Sequence, residues 1–465
     1  MLRLPLHGAR NVRVGTARTY RVKGISGSRF SAERQMALKS QDDLVRGIQG
    51  AVLEDLDGSV FTAEALTKTL HLGEVSDFQV VPGSEKNWPQ SSSAKIQITL
   101  KDHPEEGKVV FLKKVDGRQL PQKSLLDLRR DLASNRNEAR FYKEFAPILG
   151  DRGMKFAKPL FVDERMDGVD ALVGTDAEQE AALRQGGILM FLESAEGFFQ
   201  EAPFSYDQAT CALKMLAQFH GTTWQDAELL GKASVRLQPK AGYWAMHHRS
   251  KEEFSQLEAN WKVYVEAFTP LAPDLFARQG IADLGTRLRD VSESVSNALW
   301  AKPTDPFASL MHGDLKAMNI FLPETSSAQT SALPIDFQWT GVGFGMADVA
   351  MHLCHSVSVD ALRDGGEQRL VECYMGALAE IVPPQSFNDF KTAALKLYCL
   401  GVLDYSRTVI SHFFKGASPE KFVERAHLVN VGLCYRNVEA SFLFVERVDR
   451  CLRMHSSGEY SWTSV

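Results

Sequence analysis

The sequence predicts an α+β chain of two lobes, in which a small strand-rich first lobe precedes a larger and mainly helical second lobe. Strand-like segments concentrate between residues 78 and 193, where Gly, Asn, Pro and Ser interrupt them. Beyond Ser205 the apolar residues recur with helical spacing almost to the end of the chain. With 465 residues, 44% hydrophobic and 24% charged, the chain is long enough for two domains or one large bilobal domain.

Four strands and two helices are predicted in the first lobe. The strands are Phe78–Val81, Lys95–Leu100, Lys108–Val115 and Gly186–Glu193. One helix begins after Thr62 as its N-cap, and another covers Ser124–Phe145. The boundary between the lobes is expected at Glu193 and Ser194. The chain is therefore predicted to contain three regions: a basic segment over residues 1–35, a first lobe over 36–193 and a second lobe over 194–465.

Seven helices are predicted in the second lobe. They are Tyr206–Phe219, Lys251–Phe268, Ile281–Leu299, Met346–Ser356, Gln368–Ile381, Phe387–Phe414 and Pro419–Arg450. The segment 341–345, GVGFG, follows a strand and precedes a helix, but Met346 stands where a dinucleotide-binding fingerprint needs a small residue. We therefore expect a tight turn there, with Asp348 capping or bracing the helix that follows.

The amino terminus has a composition unlike the rest of the chain. Residues 1–32 hold seven basic residues, and the first acid is Glu33. Arg-rich, acid-free sequence with Ser and Thr is typical of transit peptides to a mitochondrion or plastid, although a disordered basic tail or a mis-assigned start codon has the same composition. The expected location is cytoplasmic or organellar.

Composition also excludes several classes of function. The six cysteines are scattered without a C-x-x-C pair, so neither a disulfide framework nor a zinc site is indicated. A formal charge of −5 gives no electrostatic case for nucleic-acid binding. The sequence contains no run of eighteen apolar residues, so no transmembrane segment is predicted. The oligomeric state stays open.

Three polar residues near the middle of the second lobe suggest a specific chemistry. Asn319 follows Asp314 by five residues, and Asp336 follows Asn319 by seventeen. The apolar flanks at 320–322 and 333–335 predict a short hairpin that brings Asn319 and Asp336 to the same end. Phosphoryl transfer needs a carboxylate for the acceptor and oxygen ligands for Mg²⁺, and these residues supply both. Alternatively, each fragment is an ordinary turn or strand end.

The same residues carry a family resemblance. HGDLKAMN at 312–319 resembles the catalytic loop of protein kinases, with Gly313 in place of arginine. His-Gly-Asp is similar to the aminoglycoside phosphotransferase and choline kinase group. The continuation at 335–353, IDFQWTGVGFGMADVAMHL, most resembles the ecdysteroid kinase-like, or CHK kinase-like, branch. The resemblance covers about residues 75–445 and implies a bilobal protein-kinase-like fold.

The resemblance implies roles for residues of the second lobe. Asp314 is the base or orienting carboxylate for the acceptor, and Lys316 neutralises the transferred phosphoryl group. Asn319 and Asp336 hold Mg²⁺. His312 is expected to orient the loop without taking part in the chemistry.

In the first lobe the resemblance implies a set of nucleotide-binding residues. A lysine of the strand Lys108–Val115 contacts the ATP phosphates, and Lys113 is favoured over Lys114, which points to the opposite face. Glu138 pairs with that lysine. Glu193 and Ser194 belong to the hinge that contacts adenine. The phosphate-covering loop between Val81 and Ile96 is the weakest match, since it has one glycine and three serines.

The predicted function is an ATP- and Mg²⁺-dependent kinase that acts on a hydroxyl of a small molecule. An atypical protein kinase and a catalytically weak or dead binding module are the alternatives. Gly313 and the lack of a long activation segment argue against a protein kinase. The acceptor is not named by these motifs. Its pocket is expected among aromatic and polar residues that otherwise belong to the core, namely Trp244, His247, His248, Trp261, Tyr264, Asp404, Tyr405 and Arg407.

Overall fold

A computed structural model describes residues 53–170, 173–324 and 331–462. The chain divides into two units, Met1–Leu53 and Glu54–Val465, and every element named below belongs to the second. The predicted targeting segment at residues 1–32 lies outside the described residues. Within the described ranges, no helix has the length and hydropathy needed to cross a membrane.

A six-stranded antiparallel sheet forms the first lobe. Its strands are β1 (Val75–Val80), β2 (Lys86–Trp88), β3 (Ser91–Leu100), β4 (Lys108–Asp116), β5 (Pro159–Arg165) and β6 (Gly187–Glu193). They pair in the order β1-β3-β4-β6-β5, with β2 against β3. Strands β1, β3, β4 and β6 match the four predicted, whereas β5 was not predicted. It lies at the sheet edge, with most side chains half-buried, and so has no clear polar-apolar alternation.

Four helices accompany the sheet. They are α1 (Ala63–Leu70), α2 (Leu125–Arg140), α3 (Ala146–Asp151) and α4 (Asp176–Arg184). Thr62 caps α1 as predicted, because its Oγ1 accepts from the Ala65 amide at 3.1 Å. The predicted helix Ser124–Phe145 corresponds to α2 followed by a π-helical turn over Phe141–Phe145. Helix α4 was not predicted, although Thr175 and Glu178 form a readable capping box.

The second lobe is mainly helical. Its helices are α5 (Tyr206–Thr222), α6 (Ala227–Arg236), α7 (Lys251–Ser255), α8 (Leu257–Phe268), α9 (Pro273–Phe276), α10 (Leu284–Ala298), α11 (Met346–His355), α12 (Val359–Leu362), α13 (Gly366–Ala379), α14 (Pro384–Thr408), α15 (Pro419–Arg425) and α16 (Val438–Ser457). A second π-helical turn, Val409–Phe413, ends α14. The single helix predicted over Lys251–Phe268 is broken into α7 and α8.

The predicted continuous helix Pro419–Arg450 is wrong. Helix α15 stops at Arg425, and α16 starts after Asn437, whose side chain caps it. Between them the buried Arg436 donates to the carbonyls of Val431 and Ala426, both at 2.8 Å. These hydrogen bonds satisfy backbone carbonyls that would be paired within a helix if the helix continued. Residues 426–437 therefore form a separate loop, which borders the cavity described below.

Two small antiparallel sheets position the segment 312–336. Strands β9 (Ile320–Pro323) and β10 (Leu333–Pro334) form the predicted hairpin, and β7 (Phe198–Phe199) pairs with β9. Strands β8 (Ala308–Met311) and β11 (Gly341–Phe344) form the other. The tight turn predicted at 341–345 is thus largely a strand. Its glycines allow close packing, since a Cβ on Gly343 would lie 2.2 Å from Met311 Sδ.

A continuous apolar core joins the two lobes. It runs from Leu128, Phe141 and Tyr142 beneath the sheet to Phe219 and Phe337 in the helical lobe. The sheet of the first lobe ends at Glu193, and β7 then pairs within the helical lobe. The architecture is the predicted α+β, bilobal, protein-kinase-like fold.

Candidate active site

The loop that carries Asp314 is held by hydrogen bonds to its backbone. Both carboxylate oxygens of the fully buried Asp348, in the first turn of α11, accept from this loop. Oδ2 accepts from the His312 amide at 2.6 Å, and Oδ1 accepts from the Gly313 amide at 3.0 Å. Asp348 also lies 3.3 Å from the ring of buried His220. The expectation that Asp348 braces its own helix is therefore corrected, because it anchors the catalytic loop instead.

Gly313 has a conformation and surroundings that exclude any side chain. Its φ is +81°, in the left-handed region that favours glycine. A Cβ there would lie 2.1 Å from the Trp339 carbonyl oxygen and 2.8 Å from the Gly242 nitrogen. The arginine that protein kinases carry at this place has no room, which explains why the motif reads His-Gly-Asp.

Asp314 lies next to Lys316 and Asn319. Lys316 Nζ donates to Asp314 Oδ2 at 2.9 Å, and Asn319 Nδ2 donates to the Asp314 carbonyl at 2.8 Å. Burial raises the pKa of Asp314, as does the charge of Asp336, and Lys316 opposes them. Burial works against the charge on Lys316, but the carboxylates of Asp314 and Asp336 outweigh it and raise the pKa of Lys316. The loop thus places a buried carboxylate against a stably charged ammonium group.

Asp336 and Asn319 meet at the open end of the β9–β10 hairpin, as predicted. Pro334 pairs with Ile320, and the Ile335 amide donates to the Asn319 carbonyl at 2.9 Å. Asp336 has a φ of +67°, a strained conformation for a non-glycine residue.

The oxygens of this pair fit a divalent cation. Asp336 Oδ1 is buried and has no hydrogen-bond partner among the described residues. The Asn319 amide nitrogen donates to Asp314, and its side-chain oxygen takes no part in that bond. Within the described ranges, no group of three or more His, Cys, Asp and Glu could hold a metal unaided. This donor set therefore suits Mg²⁺ that takes its remaining ligands from phosphates and water.

Lys113 and Glu138 form the expected ion pair between β4 and α2. Lys113 Nζ donates to Glu138 Oε2 at 2.5 Å, and the two side chains are 13% and 5% exposed. Burial opposes the charge on Lys113, but Glu138 and then Asp336 outweigh it and raise its pKa. Lys114 points to the other face, where it donates to the Glu54 carbonyl at 3.0 Å. The strand therefore directs Lys113, and not Lys114, toward Asp336.

Helix α2 is tied to the segment that follows Asp336. The Asn137 amide donates to the carbonyls of Phe337 and Thr340, both at 2.9 Å. Gln338 Nε2 donates to Asn135 Oδ1 at 3.0 Å. The rings of Phe141 and Phe337 stack 3.7 Å apart between centroids. These contacts fix Glu138 and Asp336 relative to each other.

The predicted hinge and the serine run of the predicted phosphate-covering loop both form hydrogen bonds within the sheet of the first lobe. The Glu193 amide donates to the Lys158 carbonyl at 2.8 Å, and the Ser194 amide donates to that of Val109 at 3.3 Å. Both amides of the predicted hinge are therefore engaged within the sheet. The Ser91–Ser93 run opens β3 and pairs with β2, so it is strand and not loop. Gln90, at the tip of this hairpin, reaches the cavity that contains Asp314.

A cavity of about 650 Å³ opens from Asp314 and Asp336 into the helical lobe. Six aromatic residues contribute to its wall: Tyr243, Trp244, Trp339, Tyr405, Phe413 and Tyr435. Two of the predicted pocket residues, Trp244 and Tyr405, are among them. Trp261 and Tyr264 instead stack on each other in the core, 5.3 Å apart.

The other predicted pocket residues do not line this cavity. Asp404 and Arg407 form a buried pair at 3.2 Å, and Arg407 also bonds the Trp244 carbonyl. His247 stacks on Trp300, while His248 contacts the ring of Trp339. Arg407 and His248 thus contact two residues of the wall, Trp244 and Trp339, without lining the cavity themselves.

Several residues that shape the site were missed by sequence reasoning. Asn137 and Gln338 fix α2, and Lys415 and Arg425 border the cavity. The contacts of Asn137 and Gln338 join segments 200 to 203 residues apart, so spacing within a motif carries no signal for them.

Solved structures of several phosphotransferases resemble this chain. An amicoumacin kinase in complex with AMP-PNP, Ca²⁺ and Ami aligns over 90% of this chain and 96% of its own, with 13% identity and a TM-score of 0.40. A Plasmodium vivax ethanolamine kinase aligns over 92% and 95%, with 13% identity and a TM-score of 0.38. A spectinomycin phosphotransferase in complex with ADP and spectinomycin aligns over 85% and 96%, with 12% identity and a TM-score of 0.37.

Sequence comparison gives a more direct assignment. A search of curated proteins finds no significant match. The profile of the ecdysteroid kinase-like family, by contrast, matches residues 91–383, a range that contains the sheet from β3 onward and the whole catalytic segment. Because this match covers more than half of the chain, the protein is a member of the ecdysteroid kinase-like family.

Proposed function

We propose that this protein is an ATP-dependent phosphotransferase that transfers the γ-phosphoryl group to a hydroxyl group of a small molecule. One observation carries the proposal: Asp314 and the partly unpartnered carboxylate of Asp336 both line the 650 Å³ cavity. The cavity extends from these carboxylates into the helical lobe, and its volume suits a small organic acceptor. Membership of a kinase-like family supports the same assignment.

Asp314 is assigned to the acceptor hydroxyl. Its carboxylate accepts the hydroxyl hydrogen bond and takes the proton as the oxygen attacks the phosphorus atom. Two side chains hold Asp314 in place. Asn319 donates to the backbone carbonyl of Asp314 at 2.8 Å, and Lys316 donates to its Oδ2 at 2.9 Å. The ammonium group of Lys316 also offsets the negative charge of the transferred phosphoryl group.

Lys113 is assigned to the nucleotide phosphates, with Glu138 holding its side chain on the inner face of the sheet. Asn319 and Asp336 are assigned to Mg²⁺, which when bound supplies positive charge to the β- and γ-phosphate oxygens. The hinge at Glu193 and Ser194 is assigned to adenine. Because both of its amides are engaged in the sheet, we expect the contact through neighbouring backbone groups of that stretch.

Replacement of Asp314 by Asn tests the assignment. The variant keeps the shape of the side chain but cannot accept the hydroxyl proton, so turnover is expected to fall on the order of 10²-fold or more. Binding of Mg²⁺-ATP, measured by calorimetry, is expected to remain. Asp102→Asn, an exposed aspartate outside the site, is the matched control. Unchanged turnover, or loss of ATP binding in a folded Asp314→Asn variant, contradicts the role of Asp314.

We further propose that the basic residues at 1–32 direct the protein to an organelle. Their composition supports this, with seven cations and no acid. A fusion of residues 1–40 to a fluorescent protein is expected to enter a mitochondrion or plastid. Fluorescence that stays in the cytosol would contradict targeting to an organelle.

A further inference from the structure

The charges on the cavity wall do not balance. Three acidic residues line the cavity, namely Asp131, Asp314 and Asp336. Asp314 is paired with Lys316 at 2.9 Å, and Asp336 belongs to the proposed metal site. Asp131 accepts from Lys123 at 2.5 Å and lies 3.3 Å from Arg130. Every carboxylate of the wall thus already has a cation or a proposed metal.

Two cations of the wall lack such a partner. Lys415 follows the π-helical turn that ends α14, and Arg425 is the last residue of α15. Among the described residues, no carboxylate lies within 4.0 Å of either side chain, whereas Arg130 and Lys316 on the same wall are both paired. After pairing, the wall keeps two positive charges, those of Lys415 and Arg425.

The two histidines of the wall add no positive charge to it. Burial, reinforced by the charges of Lys316, His352 and Arg436, lowers the pKa of His355 to about 3. Burial also lowers the pKa of His412, reinforced by Arg249 and Lys415 against Glu253. Both rings are therefore neutral at pH 7, and the charge of the wall comes from Lys415 and Arg425. The six aromatic residues lie on the same wall.

We propose that the acceptor is an anionic amphiphile, with an apolar body against the aromatic wall, a hydroxyl group at Asp314 and an anionic group near Lys415 and Arg425. The shared chemistry is that of a carboxylate, sulfate or phosphate, each of which both side chains can bind by charge-assisted hydrogen bonds. An amino alcohol or amino sugar would instead bring a cation to a wall that has no free carboxylate away from the reaction centre. This inference rests on the proposed function and narrows its substrate class.

The test uses three probes that differ only in charge. They are a hydroxylated steroid with a side-chain carboxylate, its primary amide and the corresponding amine. Binding to the full-length protein is followed by tryptophan fluorescence, because Trp244 and Trp339 line the cavity. The carboxylate is expected to bind about tenfold or more tighter than the amide, and the amine weakest.

Two double variants separate the cavity cations from general surface charge. Lys415→Gln/Arg425→Gln is expected to weaken carboxylate binding about tenfold or more and leave amide binding within about twofold. Lys391→Gln/Lys421→Gln removes two exposed lysines that do not line the cavity and is expected to change neither. Equal binding of the three probes, no saturable binding of the carboxylate, or a preference that survives the Lys415/Arg425 change would overturn the inference.

Transfer of labelled phosphate from ATP to each probe is measured separately. Selective binding of the carboxylate without any labelled product supports the inference and counts against the proposed phosphotransferase function. Labelled product from all three probes at similar kcat/KM supports the phosphotransferase function and overturns the inference.

Discussion

Replacing Gly313 by alanine is expected to destabilise the protein and disable its site. A residue with a side chain at φ +81° costs about 1–2 kcal/mol relative to glycine. The added Cβ would lie 2.1 Å from the Trp339 carbonyl oxygen, so backbone must move, and overpacking of this kind costs about 1–3 kcal/mol. The sum, about 2–5 kcal/mol, is a large part of the 5–15 kcal/mol that typically stabilises a folded protein.

The same substitution is expected to reduce turnover in molecules that remain folded. The Gly313 amide donates to Asp348 at 3.0 Å, and its carbonyl accepts from the Tyr243 amide at 2.9 Å. Any shift that relieves the clash therefore displaces the backbone next to Asp314. Misplacement of a reacting group by about 1 Å costs on the order of 10²-fold in rate.

Urea unfolding and steady-state turnover measure the two effects. Gly231→Ala is the control, because Gly231 lies inside α6, has no φ in the left-handed region and has open space at its Cβ position. That change is expected to stabilise the helix by about 0.5–1 kcal/mol and leave turnover unchanged. A Gly313→Ala variant with wild-type stability and turnover would refute the steric explanation of the His-Gly-Asp motif.

Three further substitutions test other parts of the site. Asp336→Ala is expected to abolish Mg²⁺-dependent ATP binding in calorimetry, because neutral Asn319 alone does not hold a divalent ion; unchanged affinity contradicts the metal role. Lys113→Met is expected to raise the KM for ATP, whereas Lys114→Met, on the opposite face, is expected to lower only the unfolding free energy. Equal effects of the two substitutions on the KM for ATP would contradict the separate roles of Lys113 and Lys114. Asn137→Ala removes two hydrogen bonds of 2.9 Å to the carbonyls of Phe337 and Thr340, each of which keeps a longer bond of 3.3 Å to a backbone amide, and is expected to cost about 1–3 kcal/mol in urea unfolding; no loss would show that water replaces the amide.

The catalytic segment was predictable because its geometry is local. The spacing from Asn319 to Asp336 and the apolar flanks define a hairpin, and the structure has that hairpin with Pro334 opposite Ile320. Strand alternation likewise separated Lys113 from Lys114. Antiparallel pairing sets the first geometry and the two-residue period of a strand sets the second, so no distant contact is needed.

The parts that could not be predicted depend on distant contacts. Periodicity favoured one helix over Pro419–Arg450, but Arg436 supports a loop by bonding carbonyls five and ten residues earlier in the chain. The role of Asp348 was invisible for the same reason, because its partners lie 35 and 36 residues before it. Aromatic spacing in α8 also could not separate the core residues Trp261 and Tyr264 from a cavity wall.

The contacts of α2 indicate that the Lys113–Glu138 pair is formed in the resting protein. In regulated protein kinases this pair depends on the position of the equivalent helix, which activation-loop phosphorylation controls. Here, moving α2 would break the two Asn137 bonds and the Gln338–Asn135 bond, and would separate the stacked rings of Phe141 and Phe337. At about 1 kcal/mol for each contact, the displaced state lies about 4 kcal/mol higher, which corresponds to roughly one molecule in a thousand. With no side chain at Gly313 to receive a signal from a phosphate, we expect the Lys113–Glu138 pair to persist without phosphorylation.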